Sequence, residues 1–412
     1  MKKKLNIGLF GYGCVGSGLY KILNQSAATH AEIVKICVKN RNKIRDIDSN
    51  LFTYDMYEIL NDEQINVVVE LIDNSEEAFV IVSEAMKRGK SVVSANKKMI
   101  AEHFEKLKTL EEQYNVSFLY EASVGGSIPI IRILQDFYAN DPVSDIRGIL
   151  NGTTNFILSN MKSPDDTFLS VLSEAQKKGF AESDPTLDIE GFDSAYKLSI
   201  LVAHAFGVII KPENILRSGI SNVSATDVAF AARNGCRIRL VASATADESV
   251  VNTFVLPVFV SENDALYNIS DEFNAIEVNS IYADKQLLKG RGAGSLPTAS
   301  AVLSDIIAHT QNYRYACRKV TASQSDCLSD KSYPVYIRFN DNISTADIAE
   351  REWKPVDKDN SFLATFSLKV IEELLRKYGS GIFIALLPDN FDKLRQIDYG
   401  TILSQLSLCS IH

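Results

Sequence analysis

Cysteine is scarce and scattered in this chain: Cys14, Cys37, Cys236, Cys317, Cys327 and Cys409 are the only six among 412 residues. None has paired or metal-ligand spacing, which argues against a disulfide framework or a thiolate zinc site and points to reduced thiols in a cytoplasmic protein. The histidines His30, His103, His204, His309 and His412 also lack metal spacing, and His204 reads as a core histidine within an apolar helical run. No apolar run approaches the ~20 residues that cross a bilayer. Three lysines lead straight into a strand with no cleavage signal, so no membrane partner is expected. Positive charge is also in deficit: a net charge of -9 argues against nucleic acid and anionic lipid as partners. No internal repeat or low-complexity segment stands out, and a small soluble substrate is the default that remains.

Glycine, in contrast, is concentrated near the start. Residues 6–16 read N-I-G-L-F-G-Y-G-C-V-G and continue into S-G-L-Y-K-I-L. An apolar strand thus runs into Gly11, Gly13 and Gly16 at dinucleotide-binding spacing, and an amphipathic helix follows. In that setting Gly11 permits a tight turn, Gly13 lets the backbone approach a pyrophosphate, and Gly16 lets the helix pack on its strand. The helix N-terminus then faces the anion. An acid is missing where the second strand ends, because 32–38 runs into Lys39, Asn40 and Arg41. A carboxylate there would serve the ribose hydroxyl of NAD and repel a 2′-phosphate, whereas Lys39 and Arg41 can pair with one. The reading favours NADP(H) and leaves NAD(H) open; the same cations also read as solvated loop charges.

The length suggests two or three domains of ordinary globular composition, 46% apolar and 23% charged. Strand patterns at 5–10, 32–38, 67–72, 91–94 and 117–120 alternate with helical patterns at 17–24, 76–88 and 100–114. This alternation predicts an α/β fold, with a doubly wound Rossmann-type nucleotide domain over 1–128. A different regime follows Pro129: a helix at 130–138, a strand at 144–150, a small polar loop, helices, an acidic loop, a helix at 194–206, and strands at 237–246 and 251–260. We assign an α+β substrate domain to 129–290. Three glycines at 290, 292 and 294 precede the helical run 298–308 and bring the chain back to complete the nucleotide domain over about 290–325. The rest, 326–412, has a strand at 333–339, a helical run at 363–378 and an apolar run at 381–387, enough for a small C-terminal α/β unit.

Three segments carry candidate chemistry. Lys97, in V-V-S-A-N-K-K just beyond a predicted strand, lies where open α/β sheets bind their ligands, although loop lysines are often merely solvated. Glu182, Asp184, Asp188, Glu190 and Asp193 crowd into twelve residues before an apolar helix, a density suited to an ammonium group. Asp193 and Lys197 are four apart and share a helical face; the acids equally suit a helix N-terminus, with Asp193 as its cap. In E-A-S-V-G-G-S-I-P at 121–129 the glycine pair can turn carbonyl oxygens toward a hard cation, or serve as a hinge.

Taken in order, the motifs resemble homoserine dehydrogenase over roughly residues 5–310: G-Y-G-C-V-G at 11–16, A-N-K at 95–97, E-A-S-V-G-G at 121–126, N-G-T-T-N at 151–155, the block ending in Lys197, and G-R-G-A-G at 290–294. The resemblance implies interconversion of L-aspartate 4-semialdehyde and L-homoserine with NAD(P), on the route to threonine and methionine. It implies Lys197 as proton donor, Lys97 as a second lysine near nicotinamide and substrate, and Glu182, Asp188, Asp193, Gly152 and Thr153 around the amino-acid substrate. Cofactor contacts map to Tyr12, Cys14, Val15, Gly292 and Gly294, and a sodium ion to the backbone carbonyls of Glu121, Val124, Gly126 and Ile128. A homodimer through the substrate domain is also implied. Two departures stand out. Asp73 and Asn74 replace small residues, and the ACT-like reading of the C-terminal unit is loose because Asn340 to Ser344 lacks the usual Pro-Gly turn. The alternatives are another two-domain semialdehyde or sugar oxidoreductase, which does not call for the acidic block, and a catalytically silent nucleotide-binding regulator, which has no need of both lysines.

Overall fold

The computed structural model describes residues 5–25, 30–163, 166–247, 250–316, 322–323, 328, 330–340, 354–357, 360–389 and 391. Cys317, Cys327, Cys409 and the 341–344 stretch lie outside them. The chain forms two compact units, 1–144 with 196–212 and 278–325, and 145–195 with 213–277 and 326–412.

In the first unit, β1 (Leu5–Phe10), β2 (Ala31–Cys37), β3 (Phe52–Thr53), β4 (Val67–Glu70), β5 (Ser91–Ser94) and β6 (Phe118–Leu119) form one sheet in the order β3-β2-β1-β4-β5-β6. Its pairings are parallel. Val67, Val68 and Val69 are wholly buried, as strands covered on both faces require. Strand order reverses between β1 and β4, so the crevice at their carboxyl ends is the place for a ligand. The helices Cys14–Gln25, Ser75–Lys87 and Lys97–Gln113 follow β1, β4 and β5. Asn74 caps the second by accepting the Glu77 N–H at 2.9 Å, and Asn96 caps the third by accepting the Met99 N–H at 3.0 Å. Lys97 therefore opens a helix, whereas periodicity starts that helix at residue 100 and leaves Lys97 in a loop. β3 has only two residues, too few to leave a periodic signal. Later in the same unit, Ser295–His309 begins with the Ser295 hydroxyl donating to the Cys14 carbonyl at 2.6 Å.

The second unit is built on a mixed sheet. The long antiparallel pair Cys236–Asp247 and Val250–Ser261 lies at its centre, and Val143–Ile149 pairs antiparallel with the first of them. On the other side, Ile382–Leu386 joins Val250–Ser261 in parallel, followed by Ser332–Phe339, Ser361–Ser367 and Lys354–Asp357. One correction arises here. The helical run expected at 363–378 is not all helix: Ser361–Ser367 is a strand, and the helix is Leu368–Tyr378. The four residues Leu363 to Phe366 are too few to separate strand from helix by period, and Ser367, which accepts the Val370 N–H at 3.4 Å, marks the change. Among the described residues no helix is long and apolar enough to cross a membrane.

Candidate active site

The glycine turn after β1 divides its labour. Gly11 has φ +94°, and a Cβ there would lie 2.6 Å from the Leu71 carbonyl oxygen. A Cβ at Gly16 would lie 2.3 Å from the Gly11 carbonyl oxygen, whereas one at Gly13 would meet nothing within 4 Å. The fold itself requires the first and third glycines; the second faces open space, where a ligand's phosphates can approach. Tyr12, Gly13 and Cys14 border a cleft of about 650 Å³ that also receives Lys21, Lys43 and Arg45. Lys39 is not among its lining residues, and its ammonium forms an ion pair with Glu77. The Arg41 guanidinium lies 4.7 Å from the centre of the Tyr54 ring. Lys43 and Arg45 escaped the sequence reading, which looked only at the strand end. Arg45 donates to the carbonyls of Lys43 at 2.8 Å and Asn40 at 2.9 Å, a fold-back that carries no sequence signal.

A second cavity, about 320 Å³, gathers segments far apart in the chain: Cys14 and Val15, Leu71 to Asp73, Ala95, Lys97, Ala122 to Val124, Lys197, and Gly292 to Gly294. The two lysines, a hundred positions apart, thus share one cavity with the first residues of the glycine-loop helix. Lys197 is 6% exposed and belongs to the helix Phe192–Phe206. Asp73 borders the same cavity, while Asn74 is spent on capping its helix.

The 121–128 segment is almost wholly buried. Gly126 has φ +56°, and a Cβ there would lie 2.5 Å from the Arg291 carbonyl oxygen. The Glu121 carboxylate accepts the Ile131 and Arg132 N–H groups, both at 2.8 Å, and so holds the start of the helix Ile130–Asp136. Its own N–H donates to Asp305 at 2.9 Å, and Asp305 pairs with Arg132 at 2.6 Å. Burial, reinforced by Asp305, pushes the Glu121 carboxyl up to about 8. Two buried carboxyls face one guanidinium here, and the segment also carries backbone carbonyls, the oxygen donors that a hard cation takes.

In the second unit the acidic block is organised by Asn151, a residue of the N-G-T-T-N motif. Asn151 donates from its amide to Asp188 at 2.7 Å and to Asp193 at 2.9 Å, while its oxygen accepts the Thr154 N–H at 2.9 Å and caps the helix Gly152–Asn160. A Cβ at Gly152 would lie 2.8 Å from the Glu272 carbonyl oxygen, and Thr153 donates to the Phe180 carbonyl at 2.7 Å. Asp193 is 2% exposed and sits inside the first turn of its helix rather than at the cap. Glu182 is exposed, and its carbonyl accepts from Gln176 at 3.0 Å.

Comparison with known proteins points to one family. Residues 129–307 match the family model described as homoserine dehydrogenase, and 11–121 match the model of the homoserine dehydrogenase NAD binding domain. The homoserine dehydrogenase of Lactococcus lactis is 32% identical over 396 residues, 92% of this chain and 90% of that protein. That of Bacillus subtilis is 36% identical over 76% of this chain and 74% of its own length. Among solved structures, a homoserine dehydrogenase from Thiobacillus denitrificans superposes with a TM-score of 0.83 at 30% identity, covering 93% of this chain and 98% of that one. A hyperthermophilic archaeal homoserine dehydrogenase in complex with NADPH gives a TM-score of 0.66 at 27% identity, covering 76% and 99%. With its glycine turn, shared lysine cavity and acidic block, and with relatives matched over nine-tenths of its length, the chain belongs to the homoserine dehydrogenase family.

Proposed function

We propose that in this NAD(P)-dependent oxidoreductase Lys197 is the proton donor and Lys97 the second cation at the reacting oxygen, in the reduction of L-aspartate 4-semialdehyde to L-homoserine. One observation carries the reading: both lysines border the cavity that begins at the glycine-loop helix. When bound, the reduced nicotinamide supplies hydride to the aldehyde carbon. Negative charge then grows on the carbonyl oxygen, and an ammonium group beside it both stabilises that charge and delivers the proton. Asp193, one helical turn before Lys197, together with Glu182, Asp188, Gly152 and Thr153, is assigned to the amino-acid substrate. The amide of Asn151 holds two of those carboxylates in fixed directions.

NADPH is the proposed hydride source. Gly11, Gly13 and Gly16 shape the loop, Tyr12, Cys14, Val15, Gly292 and Gly294 line its approach, and Lys43 and Arg45, which border the cleft, supply positive charge near the ribose, to be joined by Lys39 once it leaves its ion pair with Glu77. Sodium, a hard cation that takes oxygen ligands, would be held by the carbonyls of Glu121, Val124, Gly126 and Ile128. A homodimer and an ACT-like character for 326–412 complete the proposal, the latter supported by the strands and the helix Leu368–Tyr378 found there.

Following NADPH absorbance with aspartate semialdehyde tests the core of this reading. Lys197→Ala is expected to lower kcat by about 10²- to 10⁴-fold, the usual contribution of a positioned acid. Turnover near that of the unaltered enzyme would remove Lys197 from the role. Equal catalytic efficiency with NADH, or a preference for it, would overturn the cofactor assignment.

A further inference from the structure

Glu70 closes β4 with its side chain completely buried, and the redox chemistry makes no use of it. It pairs in register with Phe10, the last residue before the glycine turn, and with Ser94, the last residue of β5. One carboxylate oxygen accepts the Ile72 N–H at 2.8 Å, and the other accepts the Ser94 hydroxyl at 2.5 Å. The Ser94 oxygen in turn accepts the Asn96 N–H at 3.1 Å, and the Asn96 amide donates to the Ile72 carbonyl at 3.0 Å. The circuit therefore closes on itself. It fixes both polar groups of Ile72 and both ends of the cap that precedes Lys97. Leu71, Ile72, Ala95 and Lys97 all border the cavity of the two lysines, and Leu71 presses its carbonyl against Gly11.

We infer that Glu70 is a positioning residue for the reaction: through Ile72, Ser94 and Asn96 it sets the direction in which Lys97 enters the cavity. Burial pushes its carboxyl up to about 7, against the pull of the two hydrogen bonds it accepts, which marks a site dry enough for those bonds to be strong. Removing the carboxyl strands a buried N–H and a buried hydroxyl, and the two loops lose their common anchor. Glu70 itself is not among the residues that border the cavity. This inference rests on the assignment of Lys97 proposed above.

A double-mutant cycle tests it, because a residue acting through Lys97 has little left to do once Lys97 is gone. Glu70→Ala is expected to lower kcat at least tenfold in the native background and less than threefold in a Lys97→Ala background. Glu70→Gln, which can still accept from Ile72 and bond to Ser94, is expected to stay within threefold of the unaltered enzyme. Equal loss factors in the two backgrounds, or a Gln variant no better than the Ala variant, would overturn the inference. Should Glu70→Ala fail to fold, Ser94→Ala carries the same comparison. Unaltered turnover in Lys97→Ala alone would instead refute the role of Lys97, and the inference with it, whereas a slow Lys97→Ala enzyme with equal Glu70 losses refutes the inference alone.

Discussion

His204 is wholly buried, and burial, aided by the Lys108 charge, pushes its pKa down to about 3. The Gln135 amide donates to Nδ1 at 2.8 Å, so Nε2 carries the proton and donates to the Tyr120 hydroxyl oxygen at 3.0 Å. A neutral ring satisfies both contacts; a charged ring would set its Nδ1–H against the Gln135 amide donor. In the unfolded chain the same ring titrates near 6.5, so below that pH the unfolded state binds a proton that the folded state refuses. Stability owed to this residue is complete above pH 6.5 and declines toward pH 3. Between pH 7.5 and pH 5.5 the loss comes to about 1.4 kcal/mol. Urea unfolding of the unaltered protein and of His204→Gln at both pH values should show their difference narrowing by that amount on acidification. A gap that ignores pH would mean that the ring is not held neutral. Such a residue is legible as core from the apolar run around it. Its partners Tyr120 and Gln135 are not, because they are brought in from 84 and 69 positions away. The same limit hid Glu70 and the organising role of Asn151, whose side-chain partners Ser94, Asp188 and Asp193 come from 24, 37 and 42 positions away.

Elements were legible where their period was long enough to be seen. β1 and β5 fall where the alternation put them, and the other principal elements of the first sheet differ by a few residues at their ends. The glycine turn is a stronger case, since the spacing alone assigns three residues of one type three different tasks, and those tasks separate in experiment. Gly16→Ala drives a Cβ into the Gly11 carbonyl and is expected to cost about 1–3 kcal/mol of stability, the usual cost of overpacking. Gly13→Ala enters open space at a backbone conformation that alanine accepts, so thermal unfolding should be unchanged or slightly raised. Its cost appears in binding: the KM for NADPH should rise roughly tenfold, because the pyrophosphate can no longer meet bare backbone. If Gly13→Ala loses stability and keeps its KM, the assignment of the three roles is wrong.

Across the whole molecule, sequence character marks where a segment changes without saying which sheet edge receives it. Residues 326–412 belong to the same compact unit as 145–195 and 213–277, and their strand Ile382–Leu386 pairs directly with Val250–Ser261. Val335, Ile337, Phe339 and Ile384 share one apolar cluster with Leu216, Phe254 and Leu256. At its rim Arg338 pairs with the fully buried Asp227 at 2.8 Å, and the Tyr336 hydroxyl donates to the same carboxylate at 2.9 Å. Deleting the chain after residue 325 would therefore expose a long apolar strand edge and leave a buried carboxylate without its cation. The shortened protein should be insoluble or elute as aggregate on size-exclusion chromatography, where the full chain elutes as a discrete species. Arg338→Ala isolates the electrostatic part: it should keep the sheet but lower unfolding free energy by about 3–5 kcal/mol, the usual penalty for breaking a buried pair. A discrete, active protein ending at residue 325 would mean that the sheet closes without its C-terminal strands, and the shared apolar cluster would then be dispensable for folding.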